Sequence, residues 1–261
     1  SIVNDVTIED YIKSTLSLEF NESFAPEAMA AVAIAKRTDA YYEVSSSQNT
    51  FWDVRAEDVN YKGFSVTHRD NGVDRAVHAT KSLIMRHIVD GENSVFPARW
   101  TEHSAGKTAP YHVMFRQNLL ESSKGVDSPL AARDRENTSW ELRIPLEDLT
   151  DLIGLQKVSG LHVYRDQTSS KVYAIRFKDE NESRAIGFVE LQERIEGLKS
   201  SDFVTRIDKG DLIFTGYGEG HGVGLCLFTA REMAERGADA SKILSTFFSD
   251  VEISLLKSKQ M

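Results

Sequence analysis

The stretch PEAMAAVAIAKRTDAYYEV, residues 26–44, decides how the N-terminal part of the chain folds. Pro26 suits the first position of a helix, because its fixed φ is helical and its missing N–H is not needed there. The middle of the stretch, 28–35, is apolar on every side, which is typical of a helix that its neighbours enclose. Lys36 and Arg37 follow at once. We expect one of these cations to leave the core and to meet a carboxylate or a hydrogen-bonding ligand.

Further helices are predicted on both sides of this stretch. The segment IEDYIKSTLSLEF, 8–20, places apolar residues at helical spacing, and Thr7 can cap it. Near the other end of the chain, Thr229 and Glu232 form a capping box, and Asp239 can cap one more helix. Helices are therefore expected at both termini.

The middle of the chain, from about residue 51 to 187, has a strand pattern. The runs FSVTH (64–68), SWELRI (139–144) and KVYAIRF (171–177) alternate as half-buried strands do. The run DRAVHATKSLIMRH (74–87) predicts a helix between them. The fold class is therefore α+β, with helices at both termini around a strand-rich middle. Because no linker is evident, we predict one domain over 1–261, with two lobes as the alternative.

Composition limits the function classes. The net charge of −9 excludes a nucleic-acid backbone as the main partner, because phosphate binding needs a basic surface. The single cysteine, Cys226, excludes an internal disulfide and a cysteine-rich zinc site. The histidines form no paired ligand motif, so neither a metal nor a cofactor is predicted. No run of about eighteen apolar residues occurs to span a membrane. The chain begins at Ser1, so we expect a processed N-terminus.

Glu19 is a candidate general acid. It follows Leu18 and precedes Phe20, and apolar surroundings raise the pKa of a carboxyl group. The alternative is an ordinary solvated glutamate at a helix end. Arg37 can likewise close a buried ion pair or hold a ligand by its planar fork. A tight pair between Arg37 and Glu19 would lower the pKa of the acid, so we expect the two to share a ligand.

The run GYGEGHGVGL, 216–225, has glycine at every second position. A strand with no side chains on one face buries little surface and loses extra backbone entropy on folding. The two-residue spacing of the glycines therefore requires a structural explanation. One interpretation is a core strand pressed tightly against its neighbours. The other is a groove floor on which a long ligand lies, with His221 rising beside it. The spacing leaves both interpretations open, but it does not fit a dinucleotide-binding turn.

The segment HSAGKT, 103–108, is predicted as a loop that carries polar side chains. His103, Ser104 and Lys107 could contact a ligand there. The segment lacks the full glycine spacing of a phosphate-binding loop. By itself the motif is weak.

In order along the chain, these segments resemble one family, stage II sporulation protein D (SpoIID) and its relatives, including the amidase enhancers. DYIKSTLSLEF followed by APEAMAAVAIAKRTDAYY resembles the opening of the family, and DRAVHATKSLIM resembles its next helix. HSAGKT resembles the loop HS-x-SGG-x-T, one residue shorter here. LKSSDF resembles the segment before the glycine run, and GHGVGL resembles GHGVGM. AREMAERGADASKILSTFF resembles the closing helices.

The resemblance implies a protein that acts on the glycan strands of peptidoglycan. It implies a lytic transglycosylase that cleaves strands already stripped of stem peptides, with Glu19 and Arg37 as catalytic residues. His103, Ser104, Lys107, Tyr217 and His221 would contact the strand. A partner amidase is implied as well. So is an extracytoplasmic location, in the periplasm or the cell-wall space, with an N-terminal signal or anchor outside this chain.

Three departures from the family pattern bear on these expectations. Glu219 stands where an aromatic residue is usual before GHG, and Cys226-Leu227 replaces Ser-Gln. The stretch FWDVRAEDVNYKG, 51–63, has neither cysteine nor histidine, so no zinc is predicted there. The alternative function is a non-catalytic amidase enhancer, which binds glycan and recruits or stimulates the amidase. A structural wall-binding domain is a third interpretation. The presence of both Glu19 and Arg37 favours the enzyme.

Overall fold

A computed structural model describes residues 3–20, 24–47, 51–56, 59, 61–63, 72–89, 92–115 and 124–256. The backbone forms two compact units. The first consists of Ser1–Arg99 with Ala230–Met261, and the second consists of Trp100–Thr229. Helices dominate the N-terminal part and strands the middle of the chain, so the predicted α+β class is confirmed.

The helices, in chain order, are α1 (Ile8–Glu19), α2 (Pro26–Ser46), α3 (Val73–Ala79), α4 (Tyr111–Phe115), α5 (Pro129–Asp134), α6 (Leu146–Ile153), α7 (Phe188–Arg194), α8 (Leu227–Glu235) and α9 (Ala240–Phe247). The strands are β1 (Leu83–Val89), β2 (Glu92–Ser94), β3 (Trp100–Thr101), β4 (Ser139–Pro145), β5 (Gly160–Arg165), β6 (Val172–Lys178), β7 (Ser183–Gly187), β8 (Asp202–Asp208), β9 (Asp211–Tyr217), β10 (Leu225–Cys226) and β11 (Val251–Leu255).

The first unit is built around α2, as its all-round apolar sequence predicts. Its middle residues are almost completely buried, and the helix packs against α1, α3, α9 and β1. Thr38 ties α2 to β1, because its Oγ1 accepts a hydrogen bond of 2.9 Å from the backbone N–H of Met85. The predicted caps at Thr7 and Asp239 are confirmed, since each side chain accepts a backbone hydrogen bond at the start of its helix.

The helix predicted over 74–87 is wrong in its second half. α3 ends at Ala79, and Ser82 has a φ of 63°, in the left-handed region that interrupts a helix. The chain then forms β1, which lies between β11 and β2 in an antiparallel sheet. Pairing on both sides overrides the local helical pattern. The strand predicted over 64–68 lies outside the described residues.

The second unit contains two antiparallel sheets, with strand orders β4-β9-β8 and β5-β6-β7. β4 and β6 confirm the strands predicted from SWELRI and KVYAIRF. A core of aromatic and aliphatic side chains supports these sheets, and Phe203 and Phe214 meet edge to face with ring centroids 5.3 Å apart. A separate parallel pair joins β10 to β3, with Leu225 opposite Trp100.

The capping box predicted from Thr229 and Glu232 is also wrong. α8 begins at Leu227, so Thr229 already lies inside its first turn. The Thr229 hydroxyl instead shares a buried hydrogen bond of 2.7 Å with the hydroxyl of Ser128. A tertiary contact has therefore replaced the local cap.

Candidate functional site

Glu19 is the last residue of α1 in the first unit, and it is exposed. Its neighbours Leu16 and Phe20 are buried, so they point away from water while the carboxyl faces it. The apolar enclosure that the sequence predicted for this acid is therefore not what the fold provides. An exposed carboxyl at a helix end is instead directly accessible to a ligand.

Arg37 is fully buried and holds four elements of the first unit together. Its guanidinium makes a two-pronged ion pair with Glu9 of α1, with N–O distances of 3.1 and 2.8 Å. It also donates to the carbonyl of Val77 in α3 at 3.3 Å and to that of Leu83 in β1 at 3.0 Å. The predicted ligand contact is not open to a guanidinium enclosed in this way. Arg37 is therefore a positioning residue, which acts through the elements that it holds.

Lys36, next to Arg37, is also buried, which corrects the expectation that one of the two cations leaves the core. Burial lowers the pKa of Lys36, and the negative charges of Asp39 and Glu19 oppose that shift. The charge of Glu19 therefore acts on a buried ammonium group. This contact between α1 and α2 was missed by sequence reasoning, although the run of two cations after an apolar helix was its visible sign.

The glycine run in the second unit is not a continuous strand. β9 ends at Tyr217, and after it Gly218, Gly220, Gly222 and Gly224 all have φ between 75° and 90°. L-residues rarely adopt this region, so a residue with a side chain would be strained at each of these four positions. The two-residue period therefore reflects an alternating backbone conformation.

Protein atoms cover the glycine positions closely. A Cβ added at Gly216 would lie 2.5 Å from the Trp140 ring, and one at Gly220 would lie 2.5 Å from Thr101 Oγ1. Backbone hydrogen bonds hold the run in place as well, since His103 and Glu219 exchange two of them at 3.0 Å. Close packing, and not a bare groove floor, accounts for the glycine spacing. The same contacts bring the HSAGKT loop and the glycine run together.

Substituting Gly220 with alanine tests this explanation, and Gly210 provides a matched control. The two glycines have φ of 90° and 91°, but only Gly220 has an atom close to the added Cβ. Both changes should cost about 1–2 kcal/mol for the left-handed backbone. Gly220→Ala should lose about 1–3 kcal/mol more from overpacking against Thr101. Denaturant unfolding measures the difference, and equal losses for the two variants would contradict close packing as the cause.

The HSAGKT loop encloses two of its three candidate side chains. His103 is buried, and its Nδ1 accepts a hydrogen bond of 3.1 Å from the N–H of Ala105. Ser104 is completely buried, and its carbonyl accepts a hydrogen bond of 2.6 Å from Lys171 Nζ. Neither side chain is open to a glycan strand in this arrangement, because protein surrounds both. Lys107 remains half-buried, in an ion pair of 3.1 Å with Asp127.

The pH dependence of stability should report on His103. Burial lowers the pKa of His103, although the nearby carboxylate of Asp134 opposes the shift. The unfolded chain takes up a proton below about pH 6.5, which the folded chain resists. The contribution of His103 is therefore fully present above that pH and is lost as the pH falls further, with a slope of up to about 1.4 kcal/mol per unit.

The matched variant for this prediction is His103→Asn, whose side-chain oxygen can accept the same backbone hydrogen bond but does not titrate. We expect the unfolding free energies of the two proteins to diverge from about pH 6.5 towards pH 5, with the wild type losing more. Parallel curves over this range would show that protonation of His103 does not contribute to the pH dependence of the unfolding free energy.

Tyr217 and His221 flank the glycine run, and both are half-buried. The Arg135 guanidinium lies 4.1 Å above the Tyr217 ring. His221 Nδ1 accepts a hydrogen bond of 3.1 Å from the N–H of Val223, so the proton of a neutral ring is on Nε2. Both rings keep part of their surface exposed, and their contact with a glycan strand stays a prediction.

A buried ionic network supports this loop cluster, and sequence reasoning missed it. Lys171 donates from Nζ to Asp202 at 2.7 Å, and Arg135 binds the same carboxylate through two bonds of 3.0 Å. Burial lowers the pKa of Lys171, while Asp202 opposes the shift. Because Lys171 also donates to the carbonyl of Ser104, the network holds the HSAGKT loop in place.

Each unit has a cleft. The cleft of the second unit has a volume of about 570 Å³ and lies between α4 and the turn at 165–168, where it contacts none of the predicted site residues. The cleft of the first unit, about 300 Å³, includes Lys36. In the part of the chain that the structure describes, no three histidine, cysteine or acidic side chains are grouped to hold a metal ion. No described helix is long and apolar enough to cross a membrane.

A comparison with protein families finds one family model that matches the N-terminal part of the chain. Residues 1–87 match the family model of SpoIID, described as stage II sporulation protein. This segment contains Glu19 and Arg37. A stage II sporulation protein D of Bacillus amyloliquefaciens is 24% identical over 97% of this chain and 75% of its own length. The resemblance to the SpoIID family is confirmed by these two matches.

Three uncharacterized proteins also match the chain. An uncharacterized protein of Chlamydia pneumoniae is 43% identical over 86 residues, and one of Chlamydia muridarum is 38% identical over 85 residues. These matches cover 31% and 30% of the two relatives, so this chain accounts for less than two thirds of their length. An uncharacterized protein of Brachyspira hyodysenteriae is 27% identical over 97% of this chain. The family match links residues 1–87 to proteins that are named for stage II of sporulation.

Proposed function

We propose that this protein is a lytic transglycosylase that cleaves the glycan strands of peptidoglycan. The observation that carries the proposal is the position of Glu19. It is an exposed carboxyl at the end of a helix that the buried Arg37–Glu9 pair locks in place. It also lies in the segment that matches the SpoIID family. An acid catalyst needs both access to its substrate and a fixed position.

In the proposed reaction, Glu19 acts first as an acid and then as a base. Its proton passes to the glycosidic oxygen as the bond from that oxygen to the anomeric carbon of the muramic acid breaks. The resulting carboxylate takes a proton from a hydroxyl of the same muramic acid, whose oxygen closes the anhydro ring. The bond formed replaces the bond broken, and Glu19 ends protonated again. A hydrolase would instead need a second carboxyl to act on water or on the sugar.

Lys36 acts on this cycle from within the protein. Its buried ammonium interacts with the charge of Glu19, so it favours the carboxylate needed for the base step and opposes the protonated form needed for the acid step. Lys107, Tyr217 and His221 are proposed to contact the strand, since each keeps exposed surface. A partner amidase and a location in the periplasm or the cell-wall space belong to the same proposal.

One observation favours a second candidate, the non-catalytic amidase enhancer. Glu19 is exposed, whereas general acids that stay protonated near neutral pH are commonly enclosed in apolar surroundings. An enhancer would bind the strand without needing an acid at this position. Full stimulation of an amidase by a Glu19→Gln protein, together with an inability of the wild type to cleave glycan, would favour it.

The test uses purified peptidoglycan in two forms, one intact and one stripped of stem peptides by an amidase. Each form is incubated with the wild-type chain, and the soluble fragments are separated and quantified. We expect fragments to be released by the wild type. Bound but uncleaved strands in both forms would overturn the proposed activity and leave the enhancer.

A further inference from the structure

The cleft of the second unit presents polar groups that are open to a ligand. Gln167 and Thr168 lie in the turn after β5, both are exposed, and neither side chain hydrogen-bonds to a described residue. His112, exposed on α4, lines the same cleft. An amide and a hydroxyl both donate and accept hydrogen bonds, as the hydroxyl groups of a sugar do. These open groups therefore suit a ligand that is rich in hydroxyls.

An aromatic ring forms one wall of this cleft. Tyr173 is half-buried, lines the cleft and stacks on Tyr164, with ring centroids 6.0 Å apart. A sugar ring has faces made of C–H groups, which pack against the apolar body of a tyrosine while its hydroxyls stay hydrated or hydrogen-bonded. The volume of about 570 Å³ is within the range of small-molecule sites, so it suits a short stretch of a sugar chain.

Arg165 brings a cation to the cleft, and no described acidic side chain forms an ion pair with it. Its Nη1 donates to the carbonyl of Ser170 at 3.2 Å, and its Nη2 donates to the carbonyl of Phe203. These bonds fix the guanidinium but use only part of its N–H groups. Burial lowers the pKa of Arg165, and the negative charge of Asp202 opposes this shift. A half-buried cation of this kind favours an anionic ligand.

A second arginine lies next to the tyrosine pair. The guanidinium of Arg176, on β6, is 5.2 Å from the centre of the Tyr164 ring. Arg176 is exposed, and within the described ranges no group accepts a hydrogen bond from it or pairs with its charge. An arginine that already rests on an aromatic ring loses less freedom when its N–H groups bind a carboxylate. The stacked tyrosines thus connect the cleft with a second open cation.

The charges of this surface favour an acidic sugar over a neutral one. The acidic residue in the lining, Asp166, is already engaged, because its Oδ2 accepts two hydrogen bonds of 2.7 Å from Ser169. A neutral sugar would leave Arg165 and Arg176 without an anion, whereas a carboxylate forms charge-assisted hydrogen bonds that are about twice as strong as neutral ones. A nucleic acid carries a charge on every unit, so the net charge of −9 repels it more strongly.

The cleft adjoins a residue that is already proposed to contact the glycan strand. His112 lines the cleft, and Phe115 lies one turn later on α4. The Phe115 ring meets the ring of His221 edge to face, with centroids 5.2 Å apart. A chain bound at His221 therefore has a continuous route along α4 to the cleft, within one unit of the protein.

We propose that this cleft, together with Arg176, binds a carboxylate-bearing sugar, with the sugar ring on Tyr173 and the carboxylate held by an arginine. Its link to the wall rests on the proposed function. If the substrate is peptidoglycan, the carboxylate is the lactyl group of muramic acid, which is free only after the stem peptide has been removed. Stripping then exposes one negative charge on every second sugar. The cleft would supply a physical cause for the preference for stripped strands that the family resemblance implies.

Calorimetric titration of the full chain tests the carboxylate. The chain carries Glu19→Gln, so that the strands are not consumed. The ligands are stripped strands, the same strands with their carboxylates converted to primary amides, and chitotetraose, a neutral sugar chain. We expect the stripped strands to bind at least about 10-fold more tightly than either neutral ligand. This advantage should shrink as salt is added. Equal affinity for stripped and amidated strands would overturn the proposal.

Two further changes in the same chain locate the binding site. Arg176→Gln should weaken the binding of stripped strands by about 3- to 10-fold and leave that of amidated strands unchanged. Gln167→Ala should weaken both by a similar factor, because it removes a contact to hydroxyls. Both residues are exposed, so the fold should persist. Arg206→Gln, which removes the same charge from an exposed position on β8, is the control and should bind like the parent chain.

Unchanged affinity in both Arg176→Gln and Gln167→Ala would also overturn the proposal. A loss in Gln167→Ala alone would assign the cleft to a neutral sugar and remove the carboxylate from it. Polygalacturonate, an acidic polysaccharide without muramic acid, separates two sources of the ligand. Tighter binding of stripped strands identifies muramic acid, and equal binding of polygalacturonate identifies acidic polysaccharides in general.

The cleft proposal and the proposed function fail separately. If the wild-type chain cleaves strands but Arg176→Gln and Gln167→Ala bind them as tightly as their parent, the cleft proposal falls. If both changes weaken binding but the wild type releases no fragments, the transglycosylase falls and the acidic-sugar site stands.

Discussion

Glu19→Gln is expected to reduce glycan cleavage by about 10²- to 10⁴-fold, the usual contribution of a general acid. Glutamine has nearly the same shape as glutamate but cannot donate a proton to the glycosidic oxygen. Because Glu19 is exposed, the change should leave the fold intact. The measurement is the initial rate of fragment release from peptidoglycan, with wild type and variant at equal concentration.

The control for this variant is Glu196→Gln, which alters an exposed glutamate in the second unit that has no proposed role. It should cleave at the wild-type rate. Retention on the strands should be the same for all three proteins, since glycan binding does not require the acid. A Glu19→Gln protein that cleaves as fast as the control would remove Glu19 from the mechanism.

Loss of the Arg37 guanidinium should produce the largest change in stability. Arg37→Ala leaves the Glu9 carboxylate part-buried without its partner, and breaking a buried pair on one side costs about 3–5 kcal/mol. Arg236→Ala removes an arginine from an exposed pair with Glu232 on α8 and should cost less than about 1 kcal/mol. The unfolding free energies of both variants in denaturant provide the comparison.

A double-mutant cycle on Glu9 and Arg37 separates the pair from the other contacts of Arg37. If the pair locks α1, Glu9→Gln and Arg37→Ala together should cost clearly less than the sum of the single changes. Additive costs would mean that Arg37 acts through its carbonyl contacts in α3 and β1 and not through α1. In that case its proposed positioning of Glu19 would be wrong.

Local sequence signals predicted the start of the chain well. Pro26 at the first position of α2, the cap at Thr7 and the apolar run over 28–35 each have a cause within a few residues. Such signals do not depend on distant parts of the chain. The same applies to the cap at Asp239.

Elements that depend on distant partners were not predictable in this way. The second half of the segment 74–87 became β1 because β11, which lies far along the chain, pairs with it. Thr229 looked like a cap, but a hydrogen bond to Ser128 and an earlier helix start gave it another role. Long-range pairing of this kind leaves no sign in a short window of sequence.

The sequence named the residues of the candidate site but did not reveal their contacts. The glycine run and the HSAGKT loop were identified, yet their backbone pairing at His103 and Glu219 joins residues more than a hundred positions apart. The burial of His103 and Arg37 likewise depends on neighbours that sequence spacing does not reveal. Sequence motifs identify candidate residues, but their exposure to a ligand depends on the fold.

The most direct test of the proposed function is mass spectrometry of the strand ends after cleavage. A lytic transglycosylase leaves anhydro-muramyl ends, because the sugar's own hydroxyl closes the ring. We expect these ends from the wild-type protein and their loss with Glu19→Gln. Reducing ends, formed by addition of water, would contradict the account and would require a second carboxyl in the reaction.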